Sequence, residues 1–374
     1  MPALAAPTLT DGTVTLRAHR RDDTDRVLEQ CLDPASQRWT TVPVPYDREL
    51  ALSFVEDLMP QGWAEDREWG FAIEVGGRYA GTCSLRHDGS GRAEIAYAAH
   101  PDVRGTGTVG RALRLLVDWG FEDRGLRAIG WWAHVGNWAS RKAAWRLGFG
   151  IEGTVRAAQP QRGELRDSWV GTLLREDPRA PTHPWLVTPV LEADGLRLRA
   201  PEESDVPRIV QACSDPVSQR WLGQLPSPYD EASAHAWLAA GHERLATGTG
   251  TDWVVVDPAD DLVLGSVGWF AHTPGVECEV GYLTHPSARG RGVASRATQA
   301  VLRHAFEQLG VRRVRAFAAA ENTASRQVLQ AAGMTCTGIE RLGARVRDGV
   351  ADAALYDVLA EDWRAGRSSA SVRR

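Results

Sequence analysis

The feature that most constrains this chain is that it is written twice. LRAHRRDDTDRVLEQCLDPASQRW, from Leu16 to Trp39, returns 182 residues later as LRAPEESDVPRIVQACSDPVSQRW, from Leu198 to Trp221. PVPYD returns as PSPYD at an offset of 183, and AEIAYAAHPDVRGTG returns as CEVGYLTHPSARGRG at an offset of 185. Blocks that keep their order with only small insertions between them mark a duplicated domain. The 374 residues, 43% of them hydrophobic, suffice for two cores of ordinary size. Between the copies, DPRAPTHPWLVTP (Asp177 to Pro189) carries four prolines, which exclude a continuous helix or a central strand. The expected organisation is a first domain over 1–177, a Pro-rich linker over 178–189, a second domain over 190–366 and a flexible basic tail over 367–374. Two copies in one chain imitate a pseudo-two-fold dimer, so the chain is expected to be a monomer or a weak homodimer.

Several function classes are disfavoured by composition. A formal net charge of −5 gives no global attraction to nucleic acid or to an anionic membrane. The five cysteines, Cys31, Cys83, Cys213, Cys278 and Cys336, form no CxxC pair and have no histidine at ligand spacing, which argues against a metal site and a disulfide framework. No apolar run approaches the roughly 18 residues of a membrane helix, and the N-terminus lacks a signal-peptide pattern. A soluble, cytoplasmic protein is expected.

Each copy predicts the same layout. A short strand (13–17; 196–199) leads to a helix entered through Asp22 and Asp23, or Ser204 and Asp205. A DP and PxPYD loop and a second helix precede extended segments that read as a β-meander (69–75 and 79–85; 253–256 and 263–269). A further strand (92–98; 277–283) runs into a glycine-spaced loop and an apolar-periodic helix. After these come a strand, an Asn-led helix ending at Gly148 or Gly333, and a final strand pair.

The loop reads RGTGTVGRA in the first copy and RGRGVASRA in the second. The first N–H groups of a helix lack intrahelical partners and sit at the positive end of its dipole, so they attract an anion. Alternate glycines let the backbone approach a pyrophosphate without Cβ interference. A dinucleotide fingerprint is not met, because Gly105, Gly107 and Gly110 carry the G-x-G-x-x-G spacing only in the first copy and Ser295 stands at the third position of the second. No Walker lysine-hydroxyl pair follows either loop.

With these motifs in order, the sequence resembles the GNAT (Gcn5-related) N-acetyltransferases, and its flanking text resembles the RimJ/RimL branch. The motifs are EVGYLTHP before RGRGVA, NTASRQVLQAAGM after it, and a closing RDGVADAALYDVLAEDW, with EIAYAAHP, NWASRKAAWRLGF and RGELRDSWVGTLLRED in the first copy. The resemblance covers nearly the whole chain, twice. It implies an α/β (α+β) fold of two tandem GNAT-type domains, each a mixed, mostly antiparallel sheet with helices on both faces. It implies acetyl-CoA as acyl donor, no metal, and an amine acceptor, with neither nucleic acid nor membrane as partner.

What the resemblance implies can be carried over by residue. Backbone amides of Gly105, Thr106, Gly107, Thr108, Val109 and Gly110, and of Gly290, Arg291, Gly292, Val293, Ala294 and Ser295, would hold the CoA pyrophosphate, with Arg104 and Arg289 shaping the loops. The preceding strands would splay at Ala98-Ala99 and at Leu283-Thr284, freeing backbone groups for pantetheine and the thioester carbonyl. Asn137 and Asn322 would bond the pantetheine arm; as helix-initial residues each could equally be an N-cap.

The reaction needs a deprotonated amine, a stabilised oxyanion and a proton for the departing thiolate. Glu94 and Glu279 are the candidate bases, weighed against a role as arginine partners on a solvated strand face. The tyrosine that many GNAT enzymes use as acid is replaced by Ala144 and Leu329. The RimL-like serine three residues after the Asn is present as Ser140 and Ser325, a candidate acid or a residue bonded to its own helix. His100 and His285, each before a proline, are expected to face solvent. Trp39 and Trp221 are either an acceptor wall or core packing. Val109 puts bulk at a usually small position, where it either crowds the pyrophosphate or is tolerated, and the second copy is expected to be the stronger CoA binder. The expected function is transfer of an acetyl or short acyl group to a primary amine, on a protein N-terminus or a small molecule such as an aminoglycoside-like antibiotic. The alternative is an acyl-CoA-binding scaffold or sensor with one or both copies silent.

Overall fold

The computed structural model describes residues 5–371, with side chains to residue 365. The chain divides into two compact units, Met1–Thr182 and His183–Arg374. In the first unit eight strands form one sheet: β1 (Leu9–Thr10), β2 (Thr15–Arg17), β3 (Glu68–Val75), β4 (Arg78–His87), β5 (Arg92–Ala99), β6 (Ala128–His134), β7 (Gly150–Gln161) and β8 (Glu164–Leu174), ordered β1-β2-β3-β4-β5-β6-β8-β7. The second unit repeats this with β9 (Leu191–Ala193), β10 (Leu196–Arg199), β11 (Thr251–Val256), β12 (Val263–Thr273), β13 (Glu277–Thr284), β14 (Arg313–Ala319), β15 (Thr335–Val346) and β16 (Gly349–Leu359). Each sheet is antiparallel except for one pair, β5 with β6 and β13 with β14. A parallel pair needs a crossover, supplied by the helices Thr108–Glu122 and Val293–Glu307.

Strand alternation explains why helices cover both faces. On β3, Phe71 and Ile73 join the main core, which contains Leu113, Leu116 and Val117 of the helix Thr108–Glu122. Ala72, between them, packs with Val27 and Cys31 of the helix Thr24–Leu32 on the opposite face. The expected fold class is the one observed.

The edge strands β1 and β9 lie outside the sequence expectation, since two or three residues are too few to display a period-2 pattern. The second helical segment of the first unit runs Arg48–Ser53, a wide π turn Phe54–Leu58, then Met59–Ala64, whereas its counterpart Glu231–Thr247 is unbroken. Pro60 lacks the N–H that a regular i to i−4 ladder requires there.

The segment expected as a linker is bonded to the unit on either side. Arg114 donates to the Arg179 carbonyl in the first unit. In the second, the Leu186 N–H donates to the Leu245 carbonyl at 2.8 Å and the Trp253 indole to the Pro189 carbonyl at 2.7 Å. Residues 367–371, expected as a tail, continue the helix Ala360–Ser371, and 372–374 lie outside the described residues. Among the described residues no helix is long and apolar enough to cross a membrane.

Candidate active site

Both glycine loops end in a helix whose N-cap is a left-handed glycine, Gly107 (φ 86°) or Gly292 (φ 69°). The preceding Gly105 and Gly290 are also left-handed, at 78° and 74°, and a Cβ added at any of the four would meet nothing within 4 Å. The glycines are therefore required by backbone conformation, and the space they face is open. Neither helix has a side-chain cap from its N-cap glycine, and the Thr108 N–H of the first lies 3.4 Å from Thr106 Oγ1. These features fit a pyrophosphate. Val109 does not crowd the loop. It is half-buried against the core cluster of its unit, because a side chain at the second helical position turns with the helix face that packs on the sheet.

The loop arginines have a definite tether. Arg104 donates to Asp33 Oδ2 at 2.6 Å and to Ser36 Oγ at 2.9 Å. Arg289 makes the same contacts with Asp215 and Ser218. Each aspartate also caps a short helix, Pro34–Trp39 or Pro216–Trp221, by accepting from the backbone of Ser36 or Ser218. The arginine beside each carboxyl holds its pKa below the ordinary value. The repeated DPxSQRW block thus anchors the glycine loop, a partnership that the sequence shows only as two unconnected repeats.

The strands part earlier than the expected Ala98-Ala99 and Leu283-Thr284. β5 and β6 pair only at Arg92–Ala128, Ala93–Ile129 and Glu94–Gly130, while β5 continues to Ala99 on its β4 side. β13 and β14 likewise pair only as far as Glu279–Arg315. The parallel ladder ends four residues before Ala98 and four before Leu283, so the opening begins well short of the loop. Ala98, Ala99, Leu283 and Thr284 lie within the parted stretch, each still paired on its antiparallel side.

Residues on the two faces of this opening differ in chemistry. On the core face, Tyr97 Oη lies 2.8 Å from Ser140 Oγ and donates to the Ser140 carbonyl at 3.1 Å. The Trp131 indole N–H lies 3.2 Å from both hydroxyls. In the second unit Tyr282 makes both contacts with Ser325 at 2.9 Å, and Ala316 stands where Trp131 would be. Burial pushes both phenols up to about 12, so they remain protonated donors at neutral pH. Neither tyrosine was among the sequence-predicted residues. The signal was the Tyr kept in both EIAYAAHP and EVGYLTHP, which looks like core packing until its hydroxyl is placed. Asn137 and Asn322 each accept from the backbone N–H of that serine, at 3.2 and 3.1 Å, and so act as N-caps.

Glu94 and Glu279, of opposite strand parity to the tyrosines, stand on the other face at the last paired position. Glu94 is 40% exposed, lies 3.5 Å from Arg86 and lines a groove of about 460 Å³ with Trp132 and Glu152. At Glu279 burial raises the pKa against the opposing pull of Arg315.

His100 and His285 do not face solvent. Both are buried, at 4% and 6% exposure, because each caps the short turn that follows, accepting from Asp102 or Ser287. Their second nitrogens meet Glu29 and Gln211. Trp39 and Trp221 are half-buried. Trp39 packs beside Gly136, and Trp221 packs against Ala319, Ala344 and Ala353. Among the described residues no group of three or more His, Cys, Asp or Glu side chains could hold a metal.

A family model for the acetyltransferase (GNAT) domain matches residues 13–150 and again 195–335. The chain belongs to the GNAT acetyltransferase family. It is an N-acetyltransferase, and its family uses acetyl-CoA as acyl donor. Among curated proteins it is similar to the uncharacterized N-acetyltransferase p20 of Bacillus licheniformis, 26% identical over 175 residues that cover 46% of this chain and 97% of that protein. It is also similar to the uncharacterized N-acetyltransferase YnaD of Bacillus subtilis, 26% identical over 104 residues, 28% of this chain and 61% of the relative. Among solved structures, RimJ of Mycobacterium smegmatis in complex with CoA-disulfide is 21% identical with a TM-score of 0.44, covering 48% of this chain and 91% of that one. The ribosomal-protein-S5-alanine acetyltransferase of Vibrio fischeri is 20% identical with a TM-score of 0.43, covering 47% and 98%.

Proposed function

We propose that each unit transfers an acetyl group from acetyl-CoA to a primary amine by direct attack, with the acyl donor and the amine meeting at the parted strands. The observation that carries this reading is the end of the parallel ladder at Glu94–Gly130 and Glu279–Arg315. It leaves a carboxylate at the rim of one face and a tyrosine-held serine on the other.

In this reading the loop amides from Gly105 to Gly110 and from Gly290 to Ser295 bind the pyrophosphate, and the Arg104–Asp33 and Arg289–Asp215 pairs keep the loops in shape. Glu94 or Glu279 accepts the ammonium proton, directly or through water, so that the nitrogen lone pair is free to attack. The new C–N bond forms as the C–S bond breaks, and the electron pair leaves on sulfur. Ser140 or Ser325 gives its hydroxyl proton to that thiolate and regains one, through water, from the second N–H that the acylated nitrogen sheds, while the adjacent phenol stays protonated beside the serine oxygen. Asn137 and Asn322 fix the serine's helix and leave their amide nitrogens for the pantetheine arm.

The test is CoA thiol release with a panel of amines, comparing Glu94→Gln and Glu279→Gln. Loss of turnover on substitution with CoA affinity unchanged is expected. Tight CoA binding without turnover on any amine would refute the enzyme reading and leave an acyl-CoA sensor. A mass shift on a ribosomal-protein N-terminus or on an aminoglycoside-type amine would name the acceptor class.

A further inference from the structure

Three polar atoms on one rung of the first sheet are buried without a partner. Both ring nitrogens of His134 and the hydroxyl of Ser168 make no hydrogen bond, and the two residues are paired directly across β6 and β8, at 4% and 0% exposure. Each buried polar group left unpaired costs about 1–3 kcal/mol. The fold does not need them, because the second unit sets Ala319 opposite Ala353 at the same rung and packs Trp221 and Ala344 with that pair. An imidazole and a hydroxyl kept unpaired in a folded interior call for a partner that arrives from outside.

Strand geometry sets this rung close to the acyl transfer. His134 has the parity of Gly130, so it lies on the Glu-bearing face, away from Trp131 and Ala133 in the core. It follows the last parallel rung, Glu94–Gly130, by four residues, as Tyr97 follows it by three. The imidazole is therefore close to the level of the Tyr97–Ser140 pair, beside the gap between the parted strands. Glu94 stands about 10 Å back along its strand from Tyr97, which leaves its carboxylate short of a nitrogen that attacks beside Ser140. The groove that Glu94 lines continues over Trp132 and Val170, and the next rung on that face is His134 and Ser168. Burial and the charge of Arg166 hold the imidazole below its ordinary pKa, so at neutral pH it is uncharged and has a lone pair to accept a proton.

We propose that His134 is a further catalytic residue of the first unit: it takes the proton of the acceptor ammonium and passes it, through water in the groove, to Glu94. This deepens the acetyltransferase reading above and rests on it. The N–H bond breaks as a ring nitrogen gains the proton, and the electron pair stays on the amine to attack the thioester carbon. The Ser168 hydroxyl accepts from the other N–H of the imidazolium. The imidazolium then gives the proton by way of water to the Glu94 carboxylate, which is 40% exposed and releases it to solvent, so the ring ends neutral. In the second unit, with Ala319 in that place, Glu279 works through water alone.

The experiment uses the full chain carrying Glu279→Gln as parent, so that turnover reports the first unit, and adds His134→Ala or Ser168→Ala. Alanine at both positions of this rung is what the second unit already carries, so the variants are expected to fold with an unchanged or raised melting temperature. Thiol release from acetyl-CoA is followed with alaninamide, benzylamine and a peptide beginning in Ala, each with and without added imidazole. His134→Ala is expected to lower kcat about a hundredfold, the scale of a lost general base, with KM for acetyl-CoA unchanged, and Ser168→Ala to lower it less. Added imidazole recovers much of the loss in His134→Ala and none of the loss in Glu94→Gln. A kcat in His134→Ala within about twofold of the parent, or a loss that imidazole leaves untouched, overturns the proposal and leaves the pair as a seat for a buried water. A parent that releases no thiol with any probe refutes the acetyltransferase reading and this role with it, whereas a parent whose turnover survives His134→Ala refutes this role alone.

Discussion

Replacing Asp33 separates two jobs that one carboxylate performs. Asparagine caps a helix about as well as aspartate, so Asp33→Asn preserves the start of the helix Pro34–Trp39 and removes only the charge that holds Arg104. A hydrogen bond between charged groups contributes about 1.5–3 kcal/mol when shielded. Here the Arg104 side chain is 37% exposed against 19% for Asp33, so solvent screening brings the expected loss to about 1 kcal/mol. If the whole loss falls on ordering the glycine loop, CoA affinity at the first site drops about fivefold. The first unit's melting transition drops by about 2–4 °C. Asp33→Ala removes the cap as well and costs about 1 kcal/mol more in stability, with no further loss of CoA affinity. Scanning calorimetry and a CoA titration measure both quantities, with Asp215→Asn as the parallel test in the second unit. Asp33 has its folded pKa depressed by Arg104, so the tether is intact above the ordinary carboxylate pKa of about 3.8 and is lost as pH falls through the depressed value. The tether's contribution to CoA affinity is therefore flat between about pH 5 and pH 8. Wild-type CoA affinity in Asp33→Asn, with a lowered melting temperature only in Asp33→Ala, would show that the aspartate caps a helix and does nothing for the loop.

Three further outcomes follow from the geometry. Gly292→Ala should cost about 1 kcal/mol of stability from its left-handed backbone and more than tenfold in CoA affinity, since its Cβ would enter the space the loop leaves open; calorimetry and titration on one sample compare the two losses. Glu279→Gln should slow the second unit yet raise its stability near neutral pH. Burial raises the folded pKa of Glu279, so the native state binds its proton more tightly, and stability falls as pH rises from about 4.5 through the raised value. A wild-type rate or a lowered melting temperature at pH 7 would contradict this. Tyr282→Phe should lower kcat about tenfold or more with KM for CoA unchanged, while Tyr97→Phe does less, because Trp131 still contacts Ser140; each is measured in a chain whose other unit carries the Glu→Gln change.

Much of this architecture was legible before any coordinates. The repeat set the number of units, and the glycine loops, the Asn-led helices and the terminal strand pairs fell where their residues demanded. These are local properties: a left-handed turn needs glycine, a helix start needs an oxygen acceptor, and a half-buried strand alternates. The two histidines show where local reading fails, since His-Pro at a strand end looks like a surface turn until the helix carrying Glu29 or Gln211 is laid over it. Val109 looked like bulk in the loop until the helix direction turned it into the core.

What the sequence determined by itself is therefore the twofold repetition, the fold class and the family, because each rests on motifs whose order and spacing survive without contacts. Only the tertiary structure decided that the parallel ladder ends at Glu94 and Glu279, that Tyr97 and Tyr282 hold the serines, and that Asp33 and Asp215 hold the loop arginines. Those pairs are separated by 43 to 74 positions in the chain. Their meeting depends on where two strands stop exchanging hydrogen bonds, which is set by the packing of whole layers and not by any residue alone.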